Sequence, residues 1–276
     1  MPTTPRTGGD LAGFLRDRRA RLPPPPGASR RRTPGLRREE VAARAGVSVT
    51  WYTWLEQARG GPPSAEALER IASALELDDQ GRELLFLLAQ QRPPPLRPTA
   101  AAEVPAAVQA VMDAMTLSPA FVKTAAWDVV AANAAAEVVF GGRLDASTPR
   151  NGLKQLFLDP TMRESMPEWE AHARFAVSVF RVDLARAAGD AQAQAVLAEL
   201  HASSGDFRRL WAENEVAGHR AGLKRLRHTV AGVITMHTAA FRIDGAEGLT
   251  MIVYTPASAA DAQAIASLLE GLAKAA

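Results

Sequence analysis

Two proline-rich segments interrupt the chain, and neither a helix nor a strand can continue through them. The first reads RLPPPPGASRRRTPG (residues 21–35) and the second reads QRPPPLRPTAAAEVP (residues 91–105). Proline fixes φ and has no amide N–H, so both segments are typical of extended connections rather than helices. The second lies between two strongly helical regions, and we therefore predict an inter-domain linker over residues 93–105.

The composition supports two folded domains and excludes several kinds of site. At 276 residues, 47% of them hydrophobic, the chain is long enough for two substantial cores. It has no cysteine, which excludes disulfides, thiolate zinc sites, iron–sulfur clusters and thiol nucleophiles. No apolar run approaches about 18 residues, and the N-terminus lacks the apolar segment of a signal peptide. We expect a cytoplasmic protein that does not bind a membrane.

Charge is distributed unevenly along the chain. Residues 1–60 contain 12 arginines and five acidic residues, which is a net charge of +7. Because the whole chain has a net charge of only +2, the remaining 216 residues have a net charge of −5. This asymmetry indicates an N-terminal module that binds a polyanion such as nucleic acid, although an arginine-rich surface without that role explains the charge equally well.

The hydrophobic spacing of residues 1–92 is helical outside the first proline-rich segment. Five runs predict short helices that form an all-α bundle: GDLAGFLRDRRARL, LRREEVAARAG, SVTWYTWLEQAR, SAEALERIASALEL and DDQGRELLFLLAQ. The turn AGVS (residues 45–48) joins the second helix to the third. Its Gly46 can adopt positive φ, and Val47 can fill the space between the two helices. This pattern is typical of a helix-turn-helix, whose second helix enters the major groove of DNA.

The run WYTW in the third helix combines two helix faces. Tyr52 and Leu55 are three residues apart and share a face with Val47, so we expect them to be buried. Trp51 and Trp54 are also three apart but lie about 100° from that face. We therefore expect both tryptophans to point outwards.

The C-terminal half has a mixed pattern. PAFVKTAAWDVVAAN predicts two short strands with a turn near Trp127, and mostly helical residues follow up to position 215. GLKRLRHTVAG, VITMHTAAFRI and GLTMIVYTP predict three further strands, and DAQAIASLLEGLA predicts a last helix. Strands at both ends with helices between them indicate an antiparallel sheet packed against helices, so the chain is α+β overall.

Residues 11–90 resemble the Xre-type helix-turn-helix family, and RRRTPGLRREEVAARAGVSVTWYTWLEQARGGPPSAEALERIASALELDD is similar to its MmyB-like transcription regulators. The similarity continues in PAFVKTAAWDVVAANAAAEVVFG, LFLDP, PEWE, FRRLWAENEV and KRLRHTVAG. The resemblance implies an N-terminal DNA-binding bundle and a ligand-binding domain related to PAS domains over residues 106–276. A fatty acid is the kind of ligand that it implies.

The resemblance also implies which residues contact DNA. The exposed start and middle of the third helix are formed by Ser48, Val49, Thr50, Trp51 and Trp54. Arg38 stands where Xre proteins often have a glutamine that contacts phosphate or a base. Relatives usually have an arginine at the position of Trp54, so contacts to thymine methyl groups, sugar or backbone would replace the usual arginine–guanine contact.

The loop before the second helix is rich in arginine. Arg30, Arg31 and Arg32, followed by Arg37 and Arg38, form a candidate clamp for DNA phosphates. The alternative is a solvated loop without a partner.

Large apolar side chains in the C-terminal half are candidates for lining a pocket, although most of them are expected to be ordinary core. They are Phe121, Val130, Phe140, Phe157, Phe175, Val179, Trp211 and Met236.

A carboxylate head group would need a partly buried cation, for which KRLRH (residues 224–228) offers several. The candidate polar contacts are Arg225, Arg227 and His228. Arg225 and Arg227 share one strand face and Lys224, Leu226 and His228 share the other. Which face points inwards stays open, as does an exposed, salt-bridged strand.

The sequence favours a regulator over an enzyme. It contains no G-x-S-x-G, H-E-x-x-H, P-loop or G-x-G-x-x-G motif, and its histidines lack metal-ligand spacing. We therefore expect no catalytic residues, no metal and no cofactor other than a bound apolar effector. The favoured hypothesis is a homodimer that binds a double-stranded DNA operator and senses a small apolar or fatty-acid-like effector. The alternative is a DNA-binding regulator whose C-terminal domain serves only dimerisation or recruitment of a protein partner.

Overall fold

The structure, a computed structural model, describes residues 7–24, 35–94, 103–140, 150–187, 189–213, 222–246 and 248–275. Contacts divide the chain into two compact units, Met1–Pro94 and Pro95–Ala276. The described residues of the first unit are all α, and those of the second unit are mixed α and β. The predicted α+β fold class is confirmed.

The N-terminal unit is a bundle of short helices. They are α1 (Thr7–Arg21), α2 (Arg38–Ala45), α3 (Val49–Glu56), α4 (Ala65–Ala74) and α5 (Asp79–Gln90). Side-chain oxygens cap three of them, since Ser48, Ser64 and Asp78 accept hydrogen bonds from the backbone N–H groups of Trp51, Ala67 and Gly81. Such caps satisfy donors that a helix N-terminus otherwise leaves free.

The bundle is held together by one apolar core to which all five helices contribute. Its members that are completely buried include Leu15, Val41, Tyr52, Ile71 and Phe86. Burying side chains of this size contributes roughly 1.5–3 kcal/mol each. The relative position of α2 and α3 therefore depends on packing as well as on the turn between them.

The C-terminal unit contains a five-stranded antiparallel sheet in the order β2-β1-β5-β4-β3. The strands are β1 (Ala120–Lys123), β2 (Val129–Ala132), β3 (Gly222–His228), β4 (Gly232–Arg242) and β5 (Thr250–Pro256). The helices are α6 (Ala106–Ala114), α7 (Ala134–Val139), α8 (Gly152–Leu158), α9 (Pro160–Ser165), α10 (Trp169–Arg186), α11 (Ala191–Ser203), α12 (Gly205–Ala212) and α13 (Ala259–Ala275).

Alternating side chains give the two faces of the sheet different partners. On β5, Val253 joins Met112 of α6 in one small core on one face. Ile252 and Tyr254 point to the opposite face, where they join the main core with the inward side chains of α10 and α12. A cavity of this unit lies on that second face.

Asn133 ties three elements of the C-terminal unit together. It is buried, and its side-chain amide donates to the carbonyl oxygens of Met112, Met115 and Ser118 at 2.9, 3.1 and 3.0 Å. Its side-chain oxygen accepts from the N–H groups of Ala120 and Ala136, both at 2.9 Å. The end of α6, the start of β1 and the start of α7 are thereby held at fixed positions around one side chain.

Candidate functional site

A sharp turn joins α2 to α3 in the N-terminal unit. Gly46 has φ 61°, a left-handed conformation that glycine adopts without strain. The N–H of Val47 bonds to the carbonyl of Ala42 at 3.0 Å, and the Val47 side chain packs against the bundle core. Ser48 then caps α3. These are the features of a helix-turn-helix.

The run WYTW has one buried residue, two partly buried residues and one exposed residue. Tyr52 is completely buried, whereas Trp54 is 48% exposed. Trp51 is partly buried and packs against the bundle core, so it points outwards less than the helical spacing predicts. Ser48, Val49 and Thr50, at the start of the helix, are exposed.

A buried carboxylate connects α3 to α1 and α2. Glu56 is completely buried, and its oxygens accept from Arg19 Nε at 2.6 Å and from Arg38 Nε at 2.7 Å. Burial alone would raise the pKa of the Glu56 carboxyl, but the hydrogen bonds from the two arginines outweigh burial and lower this pKa. Arg19 also donates to the carbonyl of Leu36 at 2.8 Å. Part of the charge of Arg38 is therefore already neutralised within the bundle.

The other predicted DNA contacts differ in how much the structure describes of them. Arg37 precedes α2, is exposed and lies 3.9 Å from Glu39. Its N–H donates to Glu40 at 2.7 Å, which closes the first turn of α2. Arg30, Arg31 and Arg32 lie outside the described residues.

A cavity of about 610 Å3 lies between the sheet and the helices of the C-terminal unit. This volume is within the range of small-molecule sites, and the lining is mainly apolar. Its lining comes from all five strands of the sheet and from α8, α9 and α10, with further residues between these elements. The lining residues are Phe121, Lys123, Trp127, Val129, Phe140, Gly152, Gln155, Leu156, Met162, Met166, Glu168, Ala171, His172, Phe175, Ala176, Gly222, Leu223, Lys224, Thr238, Ile252 and Tyr254.

Three of the eight apolar candidates line this cavity, namely Phe121, Phe140 and Phe175. The rings of Phe121 and Phe140 contact each other and Tyr254, with centroid separations of 5.2 to 6.2 Å. These rings form an aromatic wall at the β1–β5 side. Such a wall suits an apolar ligand.

The structure does not place the other five apolar candidates on the cavity. Val130 is 40% exposed on the edge strand β2. Phe157 and Trp211 pack on Phe207 at 5.2 and 5.5 Å in an aromatic cluster between helices. Val179 and Met236 are buried core residues that do not line the cavity. Their size was a poor guide because core and pocket walls use the same side chains.

The polar candidates on β3 are also corrected by the orientation of that strand. Arg225 and Arg227 are exposed and do not line the cavity, and Arg225 forms an ion pair with Glu168. Lys224 and Leu226 are on the opposite face, where Leu226 is completely buried and Lys224 lines the cavity. The inward face is therefore the one that carries Lys224.

His228 shares that inward face but has a structural role. Its Nδ1 accepts from the N–H groups of Val230 and Ala231 at 3.1 and 3.2 Å. Because Nδ1 is an acceptor, the proton is on Nε2, which donates to the carbonyl of Val138 at 3.2 Å. These bonds fix the β3–β4 turn and leave no ring nitrogen for a ligand.

A polar group of three side chains, which we call the head-group site, interrupts the apolar lining. Lys224 Nζ lies 3.4 Å from the hydroxyl of Tyr254 and 5.5 Å from the ring centre of Phe140. His172, on α10, also lines the cavity, and its buried Nε2 has no hydrogen-bond partner among the residues that the structure describes. Burial, followed by the charge of Lys224, lowers the pKa of His172 to about 4. The head-group site therefore combines a cation with donors that an anion would satisfy.

Sequence reasoning missed Tyr254 and His172, and it left Lys224 on an unassigned face. An alternating pattern along β5 shows only that Tyr254 shares a face with Ile252. The convergence of β3, β5 and α10 is a tertiary feature that no local spacing reports.

A second cation of the lining is already paired. Lys123 is 2% exposed, and its Nζ lies 2.8 Å from Asp183 Oδ2. Trp127 Nε1 donates to the same oxygen at 3.0 Å. Burial lowers the pKa of Lys123, and the charge of Asp183 opposes this effect. We interpret this group as structural, because the carboxylate of Asp183 already neutralises the charge of Lys123.

In the described ranges, no three histidine, aspartate or glutamate side chains come close enough together to hold a metal ion. None of the helices that the structure describes has the length and apolar character needed to cross a membrane.

Comparisons with known proteins agree with the two units. Residues 10–85 match the model of a helix-turn-helix domain. Residues 104–269 match the model of the MmyB-like transcription regulator ligand binding domain. The chain is thus a helix-turn-helix transcription regulator with a ligand-binding domain. More narrowly, it belongs to the MmyB-like transcription regulator family, whose model covers more than half of the chain. A comparison with curated proteins found no match.

Proposed function

We propose that this regulator binds a double-stranded DNA operator as a homodimer and that an amphipathic effector in the C-terminal cavity changes its operator affinity. The effector has an apolar body and an acidic head, as a fatty acid does. The observation that carries this proposal is the head-group site within an otherwise mainly apolar cavity. No catalytic constellation is needed for this role.

The cavity supports the acidic head through electrostatics. Lys224 Nζ lies 5.5 Å from the ring centroid of Phe140 and 5.0 Å from that of Tyr254. Among the described residues, no carboxylate lies within salt-bridge distance of it. A partly buried cation without an ionic partner is costly, and a carboxylate at this position would neutralise it. The Nε2 of His172, which has no partner within the described ranges, offers a second contact to the same head group. Arg225, by contrast, is paired with Glu168.

The N-terminal unit supports operator binding through α3. Its first residues, Ser48, Val49 and Thr50, are exposed at the end of the helix that contacts base edges in helix-turn-helix proteins. Arg37 and Arg38 at the start of α2 are candidates for phosphate contacts. Two-fold symmetry would allow two such helices to contact successive half-sites.

The alternative, a C-terminal domain that only dimerises or recruits a protein partner, requires no cavity. A volume of about 610 Å3 with a polar end is unexpected for a domain with that role alone. The cavity therefore favours the effector hypothesis.

Native mass spectrometry of the purified full chain, before and after denaturation, tests the proposal. We expect a dimer mass that exceeds twice the chain mass by a small-molecule adduct, and we expect denaturation to release an acidic amphipath. Enrichment of a duplex from a random DNA library provides the operator. Failure to enrich any duplex would contradict DNA binding, and a chain that binds neither dodecanoate nor longer fatty acids would contradict the effector class.

A further inference from the structure

We propose that α3 recognises its operator mainly through thymine methyl groups in the major groove, with Trp54 as the principal specificity-determining residue. This inference rests on the proposed DNA-binding function and names the bases that the recognition helix reads. Arginines that flank the helix would contact phosphates, and the helix itself would supply apolar contacts.

The exposed side of α3 forms one continuous stripe. At about 100° per residue, Val49, Thr50, Thr53, Trp54 and the following Gln57 fall within about 140° of one another. Val49 is 44% exposed and Trp54 is 48% exposed. Thr50 and Gln57 are exposed, and Thr53 is intermediate. The stripe therefore presents methyl groups and an indole ring, with two hydroxyls and one amide.

No cation lies on this stripe. The sequence of α3, VTWYTWLE, has one charged residue, Glu56, and that carboxylate is buried against Arg19 and Arg38. Recognition of guanine through O6 and N7 usually requires arginine or lysine. Because α3 carries neither, it lacks the commonest guanine-specific contact.

Described cations lie instead at the start of α2 and just after the end of α3. Arg37 and Arg38 are at the start of α2, and exposed Arg59 follows the end of α3. Phosphate contacts from such positions place a protein on the duplex without reading its sequence. Cations before and after the motif, together with an uncharged stripe that presents methyl groups and an indole ring, suit a groove whose edges are phosphates and whose floor carries base methyl groups.

Thymine offers the apolar partner that this stripe needs. Its C5-methyl group projects into the major groove, and apolar side chains contact it there. Removing one buried methyl-sized group from such a contact corresponds to about a fourfold loss of affinity. The apolar surface of an exposed indole gains little free energy from contact with water. Covering the Trp54 ring with the edge of a thymine therefore favours binding.

Uracil substitution tests the inference without altering base pairing. Starting from the operator enriched from the random library, each thymine in turn is replaced by uracil, which differs only by the missing methyl group. Affinities of the full chain are measured by fluorescence anisotropy for wild type, Trp54→Ala and the matched control Trp54→Phe. Circular dichroism checks that each variant is folded, as we expect for a side chain that is 48% exposed.

We expect uracil at one or more positions per half-site to weaken wild-type binding about fourfold. Trp54→Ala should remove that discrimination at its contacted position, and Trp54→Phe should retain it. Tight operator binding that changes less than twofold with every uracil would overturn methyl recognition and leave DNA binding intact. Discrimination that persists unchanged in Trp54→Ala would overturn the assignment to Trp54. Absence of any enriched duplex would instead contradict the proposed function itself.

Discussion

At the scale of single residues, the cavity of the C-terminal unit differs from an ordinary core by its polar side chains. Lys224, Tyr254 and His172 lie on three different elements and line the same space. A chain that needed only a stable core would gain from apolar residues at these positions. Burying these polar groups costs desolvation free energy, which hydrogen bonds to a ligand would offset.

Removing the cation of the head-group site should weaken acidic ligands selectively. For Lys224→Met we expect dodecanoate to bind at least about tenfold more weakly, because a hydrogen bond to a charged group contributes roughly 1.5–3 kcal/mol. Dodecanol, which has the same apolar body, should change less than twofold. Isothermal titration calorimetry measures both ligands. Exposed Lys274→Met is the matched control, and equal losses for the acid and the alcohol would contradict a role in head-group binding.

The pKa of His172 predicts a pH dependence of stability. Its pKa is about 4 in the folded protein against 6.5 as the ordinary value, so the unfolded chain binds the proton more tightly. The stabilisation is present above pH 6.5 and is lost as the pH falls towards 4. Between pH 7 and pH 5 this residue should therefore lower the unfolding free energy. Urea unfolding of wild type and His172→Gln at both values measures the difference, and an identical pH dependence in the two proteins would contradict the assignment.

At the scale of elements, α3 shows what helical spacing predicts and what it omits. The burial of Tyr52 and the exposure of Trp54 follow from their positions on the helix, and the structure agrees with both. The partial burial of Trp51 depends on neighbouring helices, which local periodicity does not describe. A completely buried Glu56 is also unexpected from sequence, because a lone carboxylate is normally exposed. Only the tertiary approach of Arg19 and Arg38 makes its burial favourable.

The two aromatic residues of α3 should respond oppositely to truncation. Tyr52→Ala should lower the unfolding free energy of the bundle by about 3–5 kcal/mol, because it leaves a large cavity in the core. Trp54→Ala should change this free energy by less than about 0.5 kcal/mol and should weaken operator binding. Thermal unfolding followed by circular dichroism, with anisotropy for DNA, separates the two effects. Melting of the bundle by Trp54→Ala would show that the recognition face is misplaced.

The buried ion pairs of α3 should be important for the bundle. Glu56→Gln keeps the size of the side chain but leaves Arg19, whose side chain is 13% exposed, without its ionic partner. We expect a destabilisation of about 3–5 kcal/mol, as for other broken buried pairs. Glu66→Gln is the matched control, since Glu66 is 84% exposed and pairs only at the surface with Arg70. Equal unfolding free energies for the two variants would contradict a structural role for Glu56.

At the scale of the whole molecule, the sequence predicts the class of each unit better than the details of its site. Proline-rich connections, helical runs and strand runs are local patterns, and they predict a helical unit followed by an α+β unit. The walls of a cavity depend on which side chains meet across elements far apart in sequence. For this reason Phe121, Phe140 and Phe175 reach the cavity, whereas Phe157 and Trp211 pack between helices. Whether Lys224 or Arg225 points into the cavity likewise depends on the orientation of β3, which the alternating pattern leaves open.

The central claim is that a ligand in the cavity of one unit controls DNA binding by the other. Coupling of this kind requires that the ligand changes operator affinity and, by reciprocity, that the operator changes ligand affinity by the same factor. The effect belongs to the full chain, and neither unit alone can show it.

The most direct measurement is the operator affinity of the full chain with and without saturating dodecanoate, by fluorescence anisotropy at constant salt. We expect a change of about fivefold or more for wild type, which is typical of allosteric coupling. We expect the same response at a much higher dodecanoate concentration for Lys224→Met. An operator affinity that is identical with and without saturating ligand would contradict the account.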